Sequence, residues 1–151
     1  MKSVLISIRP MWCDLIKRGK KTLEVRKTKP KLKTPFKCYI YCTKAPKGWF
    51  WLDSPSVRRD GSIIGEFICD TFVIDKTFGH DSLFNGAACM TEINCAIYSC
   101  GSPLYGWHIS DLKIYDRPKK LSEFIGVKTV RDGFEVRLLE RPPQSWCYVE
   151  G

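Results

Sequence analysis

The sequence predicts an α+β domain: a small, mostly antiparallel β-barrel with two or three flanking helices. Three observations lead there. Apolar and polar residues alternate over several short stretches bounded by Gly and Pro, which is the period of half-buried strands. Helical spacing occupies only short windows. No strand–helix–strand rhythm and no internal repeat runs through the chain. Its 151 residues suit a single domain, taken as 1–151. With 44% apolar and 27% charged residues, a disordered or low-complexity chain is excluded. The longest apolar runs fall far below the ~18 residues of a membrane span, so no membrane partner is expected.

The elements follow in chain order. Lys2 to Arg9 alternates, with Val4, Ile6 and Ile8 on one side, and reads as a first strand. Pro10 suits the first turn of a helix over Met11–Arg18, and Gly19 suits its end. Thr22–Arg26 alternates again: Leu23 and Val25 face a core, while Thr22, Glu24 and Arg26 share the other face. In Lys27–Lys33 a lysine recurs every second residue, lining one edge of an extended chain. Phe36–Cys42 is a buried strand rich in aromatic and β-branched residues. Residues 43–62 are broken by Pro46, Gly48, Pro55 and Gly61 around Trp49-Phe50-Trp51. Ile63–Ile74 is a long strand in which Gly65 marks a bulge or bend. Phe84–Gly101 is irregular, then helical over Thr91–Ser99. Trp107–Arg117 reads as a strand bent at Ser110-Asp111, Leu121–Phe124 as one helical turn, and Phe134–Leu138 and Trp146–Val149 as the last strands.

Charge is distributed unevenly. The formal net charge is +9, yet residues 1–50 hold 14 Lys/Arg against only Asp14 and Glu24, while the remainder of the chain is slightly acidic. A polyanion partner such as RNA or a nucleotide explains this asymmetry; a solvated lysine-rich face is the plainer alternative. No secretory signal is recognisable, because Arg9-Pro10 ends the apolar run Val4–Ile8, and a cytoplasmic location is expected. The eight cysteines then read as reduced thiols. Cys38 and Cys42 stand roughly 13 Å apart along a strand, too far to share a zinc. No metal and no cofactor are expected.

The segment with a chemical reading is Gly19-Lys20-Lys21-Thr22-Leu23-Glu24-Val25-Arg26. Glycine permits a sharp turn from helix into strand. Glu24 and Arg26 leave one strand face roughly 7 Å apart at Cα, with Lys21 at the turn before them. Arg26 can hold Glu24 and present its fork to a phosphate or a base edge. A desolvated Lys21 beside Arg26 can serve as a general base, with Glu24 as partner or acid. A structural ion pair on a sheet face uses the same residue types.

These positions match the GxKxxExR signature, and the chain resembles the ASCH domain, a relative of the PUA domain. The likeness extends to Ser7-Ile8-Arg9-Pro10, the Tyr39–Lys44 strand, Gly65-Glu66-Phe67, Trp107-His108-Ile109 and Pro142-Pro143-Gln144-Ser145-Trp146, the last being similar to small stand-alone bacterial members. The resemblance implies a PUA-like barrel with a Lys/Glu/Arg cleft that binds RNA or nucleotides. It also implies alternatives: hydrolysis of a modified nucleoside or RNA, or a protein-interaction role. In the branch that hydrolyses acetylated cytidine the motif lysine acts with a threonine and a glutamate. Lys21 matches that lysine, but Glu24 stands at the threonine position. Thr22 is the nearest hydroxyl and Glu92 a loose candidate for the second carboxylate. The site residues expected are therefore Lys21 and Glu24 for catalysis, and Arg9, Lys20, Lys21, Arg26, Lys27 and Trp49 for nucleic-acid binding. Trp49 earns its place as a base-stacking indole flanked by Lys44, Lys47, Arg58 and Arg59.

Overall fold

The computed structural model describes residues 1–44 and 61–151. The elements are β1 (Lys2–Ile8), α1 (Pro10–Lys17), β2 (Leu23–Arg26), β3 (Phe36–Cys42), β4 (Ser62–Asp75), α2 (Ser82–Ala88), α3 (Glu92–Ser99), β5 (Leu104–Lys119), a 3-10 turn (Leu121–Glu123), β6 (Ile125–Val130), β7 (Gly133–Leu138) and β8 (Trp146–Glu150). Strand pairing runs β2-β5-β4-β3-β1-β8-β6-β7. Apart from the parallel pair β1–β3, the pairs β1–β8, β2–β5, β6–β7 and β6–β8 are antiparallel. Among the described residues the sheet is open, which corrects the expected closed barrel. Alternation specifies that strands form, but closure requires the two end strands to pair with each other, and local pattern does not encode that.

The chain divides into two compact units. The first comprises Met1–Asp14, Lys37–Phe67 and Leu112–Gly151. Its core gathers Leu5, Tyr39, Tyr41, Ile63, Phe124 and Val149. Tyr39 meets Phe124 edge-on, ring centroids 4.9 Å apart. Lys37 pairs with Glu66 at 3.2 Å, and the Tyr115 hydroxyl donates to the same carboxylate at 2.9 Å. Gly65 is the point of close approach between β4 and β5: a Cβ there would collide with the carbonyl oxygen of Lys113. Glycine is required for backbone proximity, a different reason from the expected bulge.

The second unit comprises Leu15–Phe36 and Ile68–Asp111. Its core is Leu23, Val25, Phe84, Ala88, Cys95 and Leu104. Leu23 and Val25 face that core as the alternation requires. β2 pairs with β5 in the register Leu23↔His108, Glu24↔Trp107, Val25↔Gly106, Arg26↔Tyr105. Asp111 takes φ +47°, which is the bend expected at Ser110-Asp111.

Two elements are absent from the sequence reading, β6 and α2. Helix α2 is only seven residues long, so a 3.6-residue period has no room to show, and Gly86 weakens it further. It survives on its ends. Asp81 accepts from the Phe84 N–H at 3.0 Å, and Cys89 closes the helix in the left-handed conformation at φ 55°. All eight cysteines are free thiols. Among the described residues no helix is long and apolar enough to cross a membrane.

Candidate functional site

The site begins with the end of α1. Gly19, at φ +75°, donates its N–H to the Ile16 carbonyl, and the Lys20 N–H returns to the Leu15 carbonyl, both at 3.0 Å. This crossed pair is a Schellman closure, which needs a left-handed residue where Gly19 stands. It turns the chain so that Lys20-Lys21-Thr22 meets the C-terminus of α2. Three bonds hold that meeting. Lys21 Nζ donates to the Ala88 carbonyl at 2.6 Å, the Thr22 N–H donates to the Ala87 carbonyl at 2.9 Å, and Cys89 Sγ donates to the Lys20 carbonyl at 3.3 Å. The last carbonyls of a helix carry its negative dipole end, so an ammonium is favoured there.

Lys21 and Glu24 are 3% and 5% exposed. Arg26 places both Nε and Nη2 on the same carboxylate oxygen, Glu24 Oε1, each at 3.1 Å. The second oxygen, Oε2, lies 3.9 Å from Lys21 Nζ, an ion pair beyond hydrogen-bond reach. Oε2 is buried and accepts no hydrogen bond from the described residues. The trio therefore consists of a carboxylate with one oxygen fully engaged and one oxygen able to accept.

Burial holds the Lys21 ammonium below the ordinary lysine value of 10.5; Glu24 and then Cys89 oppose this, and Arg26 adds to it. Below the folded-state value both folded and unfolded chains carry the proton, and the cost of burying the charge is present in full. Between that value and 10.5 the unfolded chain binds more protons, so stability rises with pH across this window and levels off above it. Denaturant unfolding of wild type and Lys21→Met between about pH 8 and 11 is expected to show their stability difference moving in favour of wild type as pH rises. A flat or falling difference would contradict the assigned burial.

The neighbouring strands and α3 bring Tyr98, Phe72 and Tyr105 to the trio and the lysines that follow it, groups that the sequence reading missed. Burial pushes the Tyr98 phenol above its ordinary 10, with Arg26 opposing and Glu24 adding. Lys27 Nζ sits 5.0 Å from the Tyr98 ring centroid. Lys29 lies 5.4 Å from that of Phe72 and 5.7 Å from that of Tyr105. The alternating lysines thus lie over aromatic faces, a cation–π arrangement that spacing alone does not reveal. Trp107, opposite Glu24 in the β2–β5 register, is fully buried.

The remaining expected residues fall as follows. Lys20 and Lys27 are exposed in the same unit as the trio. Arg9 is exposed just after β1, in the first unit. Trp49 and the rest of its aromatic stretch lie outside the described residues. Glu92 is corrected as a partner of Lys21: it is exposed at the start of α3 and pairs with His80 at 2.8 Å. Thr22 is exposed, with its N–H spent on α2. His108 pairs with Asp70 at 2.6 Å.

Taken with this geometry, the fold is that of solved ASCH structures, a small α+β architecture with flanking helices. The crystal structure of the ASCH protein from Zymomonas mobilis superposes with a TM-score of 0.68 at 23% identity, covering 98% of this chain and 87% of that one. Its serine-to-alanine and tyrosine-to-phenylalanine variants superpose at 0.67, with 22% and 21% identity, covering 98% and 99% of this chain and 88% and 91% of theirs. No family sequence model matches the chain. No curated protein matches it either.

Proposed function

We propose that this chain is an ASCH-domain protein, residues 1–151 acting as one domain, that binds RNA or a nucleotide in a cleft at Lys21, Glu24 and Arg26. The observation that carries the reading is the buried Glu24 Oε2, which has no donor among the described residues while its partner oxygen meets two Arg26 nitrogens. A buried carboxylate oxygen without a donor is costly, and a ligand N–H or O–H relieves that cost. Nucleobase amino and imino groups and the ribose hydroxyl are donors of this kind. Exposed Lys20 and Lys27 supply the phosphate contacts, and Tyr98 supplies a ring beside the carboxylate. The free thiols fit a reducing, cytoplasmic setting.

Binding of a labelled single-stranded RNA is expected to weaken steeply with added KCl. Each phosphate contact contributes about 0.7 to the log–log salt slope on single strands, so replacing Lys20 and Lys27 together with Gln should lower the slope by about 1.4. Glu24→Gln should leave the slope unchanged and alter the preference among the four homopolymers. Failure of the full chain to retain any RNA or nucleotide at low salt would overturn the proposal.

A second reading is favoured by one observation, the Lys21 amine held below its ordinary range beside a carboxylate. In that reading the chain hydrolyses a modified nucleoside or RNA, with Lys21 as general base and Glu24 as its partner. Turnover of acylated nucleosides that persists in Lys21→Ala would eliminate it.

A further inference from the structure

The far end of the strand order from β2 presents an unusual edge. β7 pairs only with β6 among the described residues, and every one of its six residues is exposed. Phe134, Val136 and Leu138 share one face and are 64%, 59% and 69% exposed. Ile125 and Val127 stand opposite Leu138 and Val136 on β6, which widens the apolar face. Edge strands are normally blunted by proline, bulges or inward-pointing charge. β7 carries no proline, and its two charges, Glu135 and Arg137, flank Val136 symmetrically.

The backbone phase of the hairpin shows which groups this edge offers. Arg131-Asp132 join Val130 to Gly133, a two-residue connection. The pair flanking such a turn is hydrogen-bonded, and bonded and non-bonded pairs alternate away from it. Thr129–Phe134, Val127–Val136 and Ile125–Leu138 are then the non-bonded pairs. The N–H and C=O of Phe134, Val136 and Leu138 consequently point to the open edge. A strand that adds here must run with its own outward groups in the same phase.

From this we infer that β7 is a self-complementary dimer edge whose occupant is β7 of a second copy of this chain, antiparallel and centred on Val136. In that register Val136 faces its own symmetry mate, and Phe134 faces Leu138 twice. Glu135 faces Arg137 twice, so both charges are matched across the axis. All outward backbone groups of the three apolar residues bond in bonded-pair phase, and the apolar side chains form one continuous row across the interface. A shift by one residue would break the hydrogen-bond phase, and a shift by two would leave the charges unmatched. The two-fold symmetry is that of an isologous interface.

Sedimentation equilibrium or light scattering of the full chain tests this. The wild type is expected at twice 17.4 kDa at about 100 µM. Arg137→Glu sets Glu135 against a second acid in both halves, and should weaken the dimer at least tenfold while the far-UV spectrum remains that of wild type. The double variant Glu135→Arg/Arg137→Glu restores opposite signs across the axis and should restore the dimer. Rescue by the swap is specific to this register, because loss of fold could not be reversed in that way. A wild type that is monomeric at about 100 µM, a dimer indifferent to Arg137→Glu, or a swap that fails to rescue would each overturn the inference.

Discussion

Glu24→Ala is expected to lower the stability of the chain by about 3 kcal/mol or more. Removing one member of a buried ion pair leaves the other charge desolvated, which costs about 3–5 kcal/mol in comparable sites; Arg26 keeps some solvent access and places the expectation at the lower end. At roughly 2–4 °C per kcal/mol for a chain of this size, the melting temperature should fall by about 6–12 °C. Two cations depend on this carboxylate, and they depend on it differently. Arg26 loses the carboxylate oxygen that holds its Nε and Nη2, whereas Lys21 keeps the Ala88 carbonyl and loses the anion that offsets its burial. Lys21 in Glu24→Ala should therefore release its proton still more readily than in wild type. Thermal melts of Glu24→Ala and Glu24→Gln separate charge from shape: Gln keeps the volume and a hydrogen-bond acceptor toward Arg26, so it should recover part of the loss. A Glu24→Ala chain that melts with wild type would show that the trio is not the buried cluster described.

Trp107→Ala should cost about 3–5 kcal/mol, the range for removing a large buried aromatic side chain. The indole meets Phe36 edge-on with centroids 6.1 Å apart and Phe72 with centroids 5.7 Å apart. Its Nε1 donates to the Thr28 carbonyl at 3.3 Å, tying down the start of the lysine-rich segment. The void left by alanine is lined by two rings that cannot collapse into it without shifting strands. Trp107→Phe retains a ring and loses the Thr28 bond, so it should cost nearer 1 kcal/mol. Because Trp107 stands opposite Glu24 in the strand register, the alanine variant should also weaken the proposed RNA binding, while the phenylalanine variant should alter it less. Calorimetric melts of the two variants check the energies. Equal losses would mean that the hydrogen bond rather than the packing dominates.

The sequence and the tertiary structure contributed differently to each of these residues. The Gly19–Arg26 segment was legible because its geometry is local. A Schellman closure, a two-residue strand period and a side-chain ion pair all act within a few residues, and each constrains residue type. β1 and β3 were legible for the same reason, since alternation and β-branched content mark a strand wherever it pairs. Tyr98, Phe72 and Tyr105 were not legible as neighbours of the site. They arrive through α3, β4 and β5, and an aromatic residue at a half-buried position has no signature that distinguishes a cation's companion from ordinary packing. Glu92 shows the converse: a carboxylate of suitable type, on the expected helix, whose partner is an exposed histidine.

By itself the sequence determined the α+β class, the basic first third, and the presence of a lysine, a glutamate and an arginine at the junction of a helix and a strand. Only the tertiary structure decided that the sheet is open among the described residues and that Lys21 docks on the last carbonyl of α2. It alone showed that one oxygen of Glu24 meets two Arg26 nitrogens while the other has no donor among the described residues. The physical reason is common to all three. Sheet closure depends on pairing between distant strands, Lys21 is anchored by a backbone carbonyl that every residue possesses, and the state of each carboxylate oxygen depends on angles and distances. None of these is written in residue identity.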